Sequence, residues 1–307
     1  MTKIVKKRLA DGTIKEYRYG DDTGVRTVGA VIREYQRSTA FQRASQSTKR
    51  QRIRYMYNIM KAYQDSDITK IKRRHALMSM DTFADRPGAA NAILQCWRVL
   101  MNFAVDREYI EFNPITRIKP MELSEHRRWT DAEIAFAMKT LPEAMSRAIV
   151  LALWTGQREG DCIAMRWSDY DGTGIKIVQQ KTGEKLYIPC PAALKAELDA
   201  WPKVALTILT NASGRPFNVK SFQSYFSRLM HDHVELTGCV FHGLRKTAAA
   251  KLAEAGCSSH EIMSITGHRT LAMVEHYARE ADQKTRANSA ILKLETSFQK
   301  ASRNLMK

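Results

Sequence analysis

No apolar run in this 307-residue sequence approaches the roughly 18–20 residues needed to cross a bilayer. The longest, Ala148 to Trp154, has seven residues. The opening Met1-Thr-Lys-Ile-Val-Lys-Lys-Arg8 has no apolar stretch behind its positive charges, so no secretory leader is expected. Cysteine is scarce: Cys96, Cys162, Cys190, Cys239 and Cys257 are odd in number, scattered, and form no C-x-x-C pair. That argues against a disulfide framework and against a zinc site, and fits a reducing compartment. The clustered carboxylates of a two-metal nuclease are missing, as are internal repeats and low-complexity tracts. These absences lead us to expect a soluble cytoplasmic protein, off the membrane, with no metal and no cofactor.

Acidic residues are also in deficit. There are 32 Asp and Glu against 49 Lys and Arg, a formal net charge of +17. Such a surplus points to a polyanionic partner, because each cation that neutralises a phosphate releases a condensed counterion. With no membrane segment, nucleic acid is the better match. Residues 1–120 hold 24 Lys/Arg against 12 Asp/Glu, and residues 121–307 hold 25 against 20, so the excess lies in the first part of the chain. Two clusters stand out there: Lys49, Arg50, Arg52 and Arg54, then Lys70, Lys72, Arg73 and Arg74. Basic clusters are often only solvated helix faces. The segregation of charge favours DNA contact.

The hydrophobic share of 44% is enough for a sizeable core, and the length suggests two domains. Residues 1–23 read as a basic β-hairpin extension around Asp11-Gly12, a favoured tight-turn pair. Residues 24–112 read as helical, with apolar spacing over 25–35, 53–63 and, most clearly, 90–104. Asn113-Pro114 through Pro120 to Arg128 breaks the pattern and reads as a linker over 113–128. Thr130-Asp-Ala-Glu133 matches a capping box that opens a helix. A second helix is expected over 146–155. A β-hairpin follows, from Ile175 through the Thr182-Gly183 turn to Cys190, and the rest is mostly helical. The expected fold is mainly α with a small β-sheet, an α+β second domain over 129–282, and a tail helix over 283–307. In that tail Ile291, Leu292, Leu294, Phe298 and Leu305 form an irregular apolar face.

Four segments of the second half belong together: Trp154-Thr-Gly-Gln-Arg158-Glu-Gly-Asp161, Gln180-Lys181-Thr182-Gly183, Phe241-His242-Gly-Leu-Arg245, and Gly267-His268 through Tyr277. Singly, each has an ordinary explanation. Arg158 reads as a surface ion-pairing residue, Lys181 as a hairpin lysine, His242 and Arg245 as a local pair one turn apart, and Tyr277 as a packing residue. Asp161 reads as a cap or a partner for a neighbouring arginine.

In order and spacing the set closely resembles the tyrosine recombinase, or phage integrase, family. Its signature is Arg, a hairpin Lys, His-x-x-Arg, Gly-His and a Tyr nine residues after that His. The matches are Arg158, Lys181, His242, Arg245, His268 and Tyr277. The resemblance is strong over roughly 128–285 and extends to the helical region before it by architecture alone. Asp161 stands where the family commonly has Glu, and Met273-Val274 where it often has Thr. The resemblance implies an N-terminal helical core-binding domain and a C-terminal catalytic domain acting on double-stranded DNA at a specific recombination site. It also implies a homotetramer whose tail segments pack on neighbouring subunits, with accessory DNA-bending proteins as further partners. The short basic hairpin leans towards a phage or prophage integrase.

The implied reaction is a transesterification in which Tyr277 attacks phosphorus, giving a 3′-phosphotyrosyl link and a free 5′-hydroxyl. Negative charge builds on the nonbridging oxygens, and two guanidiniums suit that geometry. Arg158 and Arg245 are expected there, with His268 on the same phosphate. Lys181 is expected as general acid for the leaving oxygen, His242 as proton acceptor near Tyr277, and Asp161 as the group that orients Arg158. The other histidines, His276 included, are read as structural or surface residues. The competing readings are a type IB topoisomerase or hairpin telomere resolvase, a chromosome-dimer-resolving recombinase, and a DNA-binding regulator without catalysis. The complete six-residue set speaks against the last, since binding alone has no use for Tyr277.

Overall fold

Three side-chain hydroxyls set the start of the first helices. Thr27 accepts from Ala30 N, Ser38 from Phe41 N and Ser45 from Thr48 N, each satisfying a backbone donor that has no partner inside the helix. The protein is seen here as a computed structural model. It describes the backbone of residues 3–8 and 14–19, all of 26–277, and the separate positions 279, 287, 291, 292, 294 and 295. The chain divides into two compact units, residues 1–124 and 125–307. Among the described residues the fold is mainly helical with two antiparallel hairpins, in line with the expected class. None of the described helices is long and apolar enough to cross a membrane.

In the first unit β1 (Lys3–Arg8) pairs with β2 (Ile14–Tyr19), Lys3 opposite Tyr19 and Arg8 opposite Ile14. The Asp11-Gly12 turn lies outside the described residues. Then come α1 (Val28–Arg37), the short α2 (Thr39–Gln42), α3 (Gln46–Tyr63), α4 (Arg73–Asp81) and α5 (Pro87–Asp106). Ile93, Leu94, Trp97, Leu100, Met101 and Ala104 of α5 are all buried, as their spacing predicts. They pack against Val31, Ile32 and Tyr35 of α1 and Met56 and Ile59 of α3. The buried Trp97 still needs a partner for its N–H. Nε1 donates to Ser79 Oγ at 3.0 Å, and that hydroxyl donates onward to the His75 carbonyl at 2.8 Å.

The second unit opens with the expected capping box. Thr130 Oγ1 accepts from Glu133 N at 3.2 Å, and Glu133 Oε2 accepts from Thr130 N at 2.7 Å. The elements are α6 (Asp131–Thr140), α7 (Glu143–Thr155), α8 (Glu159–Ala164), β3 (Gly174–Val178), β4 (Lys185–Pro189), α9 (Ala192–Ala200), α10 (Val219–Asp232), α11 (Phe241–Glu254) and α12 (Ser259–Thr266). Residues 272–277 are helical as well. The core gathers α7 (Met145, Ala148, Ile149, Leu151), Phe222 and Phe226 of α10, and Phe241 and Leu244 of α11. Trp129 ties the entering chain to α11, because its backbone N donates to Thr247 Oγ1 at 2.8 Å and its Nε1 to the Val240 carbonyl at 2.9 Å. Of the tail's apolar positions, Ile291, Leu292 and Leu294 are exposed, while Phe298 and Leu305 lie outside the described residues.

Candidate active site

α7 stops at Gly156, whose φ of +62° lies in the left-handed region that glycine enters without steric penalty. The turn aims the Gly156 carbonyl at Arg245, on the second turn of α11. Arg245 Nη1 donates to that carbonyl at 2.8 Å and to the Thr266 carbonyl at 2.6 Å. The residue is 2% exposed, yet its Nε and Nη2 have no hydrogen-bond partner among the described residues. Burial, followed by repulsion from Arg158, lowers its pKa to about 10, while Asp161, Cys162 and Tyr277 pull the other way. The guanidinium stays charged at neutral pH with two buried donors in hand, the condition of a group built to receive an anion.

Arg158 sits just before α8. Its Nη1 donates to Gln179 Oε1 at 2.8 Å, while the nearest Asp161 oxygen, Oδ2, is 3.9 Å away. Asp161 is buried, and its shorter bond runs elsewhere: Oδ1 accepts from the Gln180 backbone N at 2.8 Å. The carboxylate therefore anchors the β3–β4 connection more tightly than it grips Arg158. Gln179 is fully buried and uses both ends of its amide. Nε2 donates to Gln157 Oε1 at 2.7 Å and to the Thr266 carbonyl at 2.8 Å, and Oε1 also accepts from Thr182 Oγ1 at 2.7 Å.

These bonds hold the backbone on both sides of Lys181. Gln180 is bound by Asp161, Thr182 by Gln179, and the Thr182 carbonyl accepts from Arg269 Nη2. The lysine side chain itself is exposed and has no hydrogen bond or ion pair among the described residues. The backbone is thus held on both sides of Lys181, and its side chain is exposed.

His242 lies one turn before Arg245 on α11, and its ring faces that of His126 edge-on at 6.0 Å. Although the residue is exposed overall, protein atoms crowd the ring. That desolvation, then Arg245, His126, Lys246 and Arg158, brings its pKa to about 4. His268 follows α12, with Nδ1 2.7 Å from Thr266 Oγ1. Burial first, then Arg245, Arg158 and His242, brings it to about 3. Both imidazoles are neutral at neutral pH. Tyr277 packs beside Ala249, Ala253, Ile262 and Val274, and its ring lies 4.6 Å from that of His276.

Five of the six motif residues are joined by short bonds or by mutual electrostatic influence, and Lys181 is joined through its neighbours' backbone. Sequence reasoning missed Gln179, Gln157 and Thr266, three uncharged residues that bind the charged ones together. Gln157 completes the set by donating to the Thr155 and Ile265 carbonyls at 2.8 and 2.9 Å. In the first unit, Arg50 and Arg54 of α3 are exposed, as are Lys70 and, at the start of α4, Lys72, Arg73 and Arg74. Lys49 and Arg52 are half-buried. Lys49 lies 6.0 Å from the Phe41 ring centre, and Arg52 is drawn onto Tyr35, whose hydroxyl it bonds.

Comparison with known proteins bears out the resemblance read from the four segments. The sequence model of the phage integrase family matches residues 130–284. The integrase of Enterobacteria phage 434 is 26% identical over 278 residues, covering 85% of this chain and 78% of its own. In fold, the chain is similar to a lambda integrase dimer bound to a COC′ core site, with a TM-score of 0.68, 23% identity, and coverage of 83% of this chain and 77% of that one. It is similar also to a lambda integrase tetramer bound to a Holliday junction, with a TM-score of 0.67, 21% identity, and coverage of 86% and 93%.

Proposed function

The chain belongs to the phage integrase family and is by that membership a tyrosine-type site-specific recombinase; from this premise we propose that it cuts and rejoins duplex DNA through a covalent bond to Tyr277. The observation that carries the reading is Arg245, a buried guanidinium with two unused donors in the electrostatic reach of Arg158 and Tyr277. Tyr277 Oη attacks the scissile phosphorus, the bond from phosphorus to the 5′-oxygen breaks, and a 3′-phosphotyrosyl ester remains. A 5′-hydroxyl from a partner strand then reverses the step. One ester replaces another, so no external energy source is consumed.

Arg158 and Arg245 bind the nonbridging oxygens as charge develops on them; preorganised donors of this kind are typically worth about 2.7–4 kcal/mol each. A free phenol titrates near 10, and nearby guanidiniums favour its ionised form. His242, neutral at the working pH, receives the proton that Tyr277 gives up. Lys181 gives one to the departing 5′-oxygen, and its exposed side chain, on a turn held from both sides, supports that role. His268 meets the same phosphate, and Asp161 holds the hairpin against Arg158.

Within this reading, residues 24–112 bind the core site, 113–128 link, 129–282 carry out the chemistry, and 283–307 dock onto a neighbouring subunit. Lys49, Arg50, Arg52, Arg54, Lys70, Lys72, Arg73 and Arg74 contact DNA, Arg52 through what Tyr35 leaves free. The lambda relatives, one a dimer on a core site and one a tetramer on a Holliday junction, support a homotetramer on DNA, and the compartment that goes with this reading is a bacterial host's cytoplasm.

The test is incubation with a nicked duplex carrying the recombination site, followed by a search for a protease-sensitive covalent adduct. Wild type forms it. Tyr277→Phe binds the duplex with nearly unchanged affinity and forms none. An adduct from the Phe variant removes Tyr277 as nucleophile.

A further inference from the structure

Thr266 is the last residue of α12 and is fully buried. Its hydroxyl oxygen has two close polar neighbours, the Ile262 carbonyl at 2.6 Å and His268 Nδ1 at 2.7 Å. A hydroxyl has one proton to give, and a carbonyl accepts but never donates. The Thr266 proton therefore goes to Ile262. The contact with His268 is then a hydrogen bond only when Nδ1 carries a proton and donates it. If Nδ1 were bare and took the hydroxyl proton, two oxygen lone pairs would face each other at 2.6 Å.

The threonine has no freedom to rearrange. Its methyl packs over Gly156, so closely that a Cβ at that glycine would stand 3.0 Å from it. Its carbonyl receives Arg245 Nη1 and Gln179 Nε2. We propose that Thr266 is a positioning residue that locks His268 in one ring orientation, with the proton on Nδ1, leaving Nε2 as the one ring nitrogen able to meet a ligand. This rests on the reading of His268 as a contact to the scissile phosphate.

The consequence is chemical. In the neutral ring, Nε2 has a lone pair and no proton. Burial first, then the charged and titratable groups around the imidazole, Arg245 of α11, Arg158 ahead of α8 and His242 of α11, keep it neutral in DNA-free protein. Nε2 donates to a phosphate oxygen only after it takes up a proton, and a bound phosphate offsets the two guanidiniums that oppose that uptake. The locked histidine thus gains its charge with the substrate rather than before it.

The experiment uses full-length protein with 15N-labelled histidine, free of DNA at neutral pH, with the His268 signals identified by their disappearance in His268→Gln. The expected spectrum has a protonated Nδ1 and a bare Nε2. Thr266→Val keeps the methyl over Gly156, removes the acceptor and mixes the tautomers, and Thr266→Ser restores the single form. Single-turnover adduct formation on the nicked duplex falls about tenfold in Thr266→Val, as expected when one orienting hydrogen bond is removed. It recovers in Thr266→Ser, with DNA affinity level throughout. A wild-type spectrum dominated by protonated Nε2 overturns the proposal and needs no variant that folds. So does a Thr266→Val protein with wild-type tautomer and rate. Failure of the functional reading is distinct: there Tyr277→Phe still forms the adduct, whatever the His268 spectrum.

Discussion

Gln179 Oε1 accepts a 2.8 Å hydrogen bond from Arg158 Nη1, and the same amide, through Nε2, bonds the carbonyl of Thr266. One uncharged, fully buried side chain therefore sets the orientation of an arginine and the spacing between the hairpin and the end of α12. Replacing it with leucine fills the space and removes every side-chain bond. Misplacing a catalytic group by about 1 Å typically costs on the order of 10²-fold in rate, and that is the expected fall in single-turnover adduct formation by Gln179→Leu. The stranded donors and acceptors should also destabilise the fold by about 1–3 kcal/mol, measured by chemical denaturation. An unchanged rate alongside that destabilisation would assign Gln179 to folding alone.

Gly267 presses on the same amide. It lies at φ +68°, and a Cβ there would stand 2.5 Å from Gln179 Nε2. Gly267→Ala combines a left-handed backbone with a clash on a fixed group. The backbone effect alone is about 1–3 kcal/mol, so a clear drop in Tm is expected. Pairing it with Gln179→Ala removes the clash and should recover part of the Tm but none of the activity. If the double variant is no more stable than the single one, the clash is not the source of the instability.

The ionisable members of the candidate site are legible in the sequence because their chemistry is unusual as a set: Arg158, Lys181, His242, Arg245, His268 and Tyr277 have no shared purpose in a core. Helix interiors are legible from apolar spacing, and α5 follows it residue by residue. The helix starts are less so. The second expected helix opens at Glu143 rather than Ser146, since Pro142 sets the turn before the apolar run begins. The amide network is illegible for a physical reason. Gln179 follows directly on β3, where a polar residue ordinarily faces solvent, and the partners that hold it inward, Gln157, Arg158 and Thr266, are distant in sequence. Arg52 looks in the sequence like one of four equivalent cations, and nothing local reveals that Tyr35, seventeen residues earlier, holds it.

The two site histidines give a pH signature. Folded, His242 and His268 titrate at about 4 and about 3, whereas an unfolded imidazole titrates near 6.5. Below about 6.5 the unfolded chain takes up protons that the folded chain refuses. Stability is therefore full above that pH and falls as the pH drops towards about 4. Tm should decline steadily between about pH 7 and about pH 5, and a His242→Gln/His268→Gln double variant should show a shallower decline. An identical slope in the double variant would place the acid sensitivity elsewhere.

The start of α4 offers a prediction in which two effects have opposite signs. Lys72 precedes the helix, Arg73 and Arg74 lie in its first turn, and no acidic residue offsets them there. Cations at a helix N-terminus oppose the macrodipole, at about 0.3–1 kcal/mol each, so this arrangement is unfavourable for the free protein. A phosphate reverses the balance, because it is attracted by the arginines and by the helix end together. Arg73→Gln/Arg74→Gln should therefore leave stability level or slightly raised while weakening DNA binding. The dependence of log affinity on log salt should become shallower by about 2, close to 0.9 for each phosphate that is no longer neutralised. The two measurements, thermal unfolding and DNA titration across salt, separate the explanations. A lower Tm with an unchanged salt slope would make these arginines structural, whereas a level Tm with a shallower slope makes them phosphate ligands.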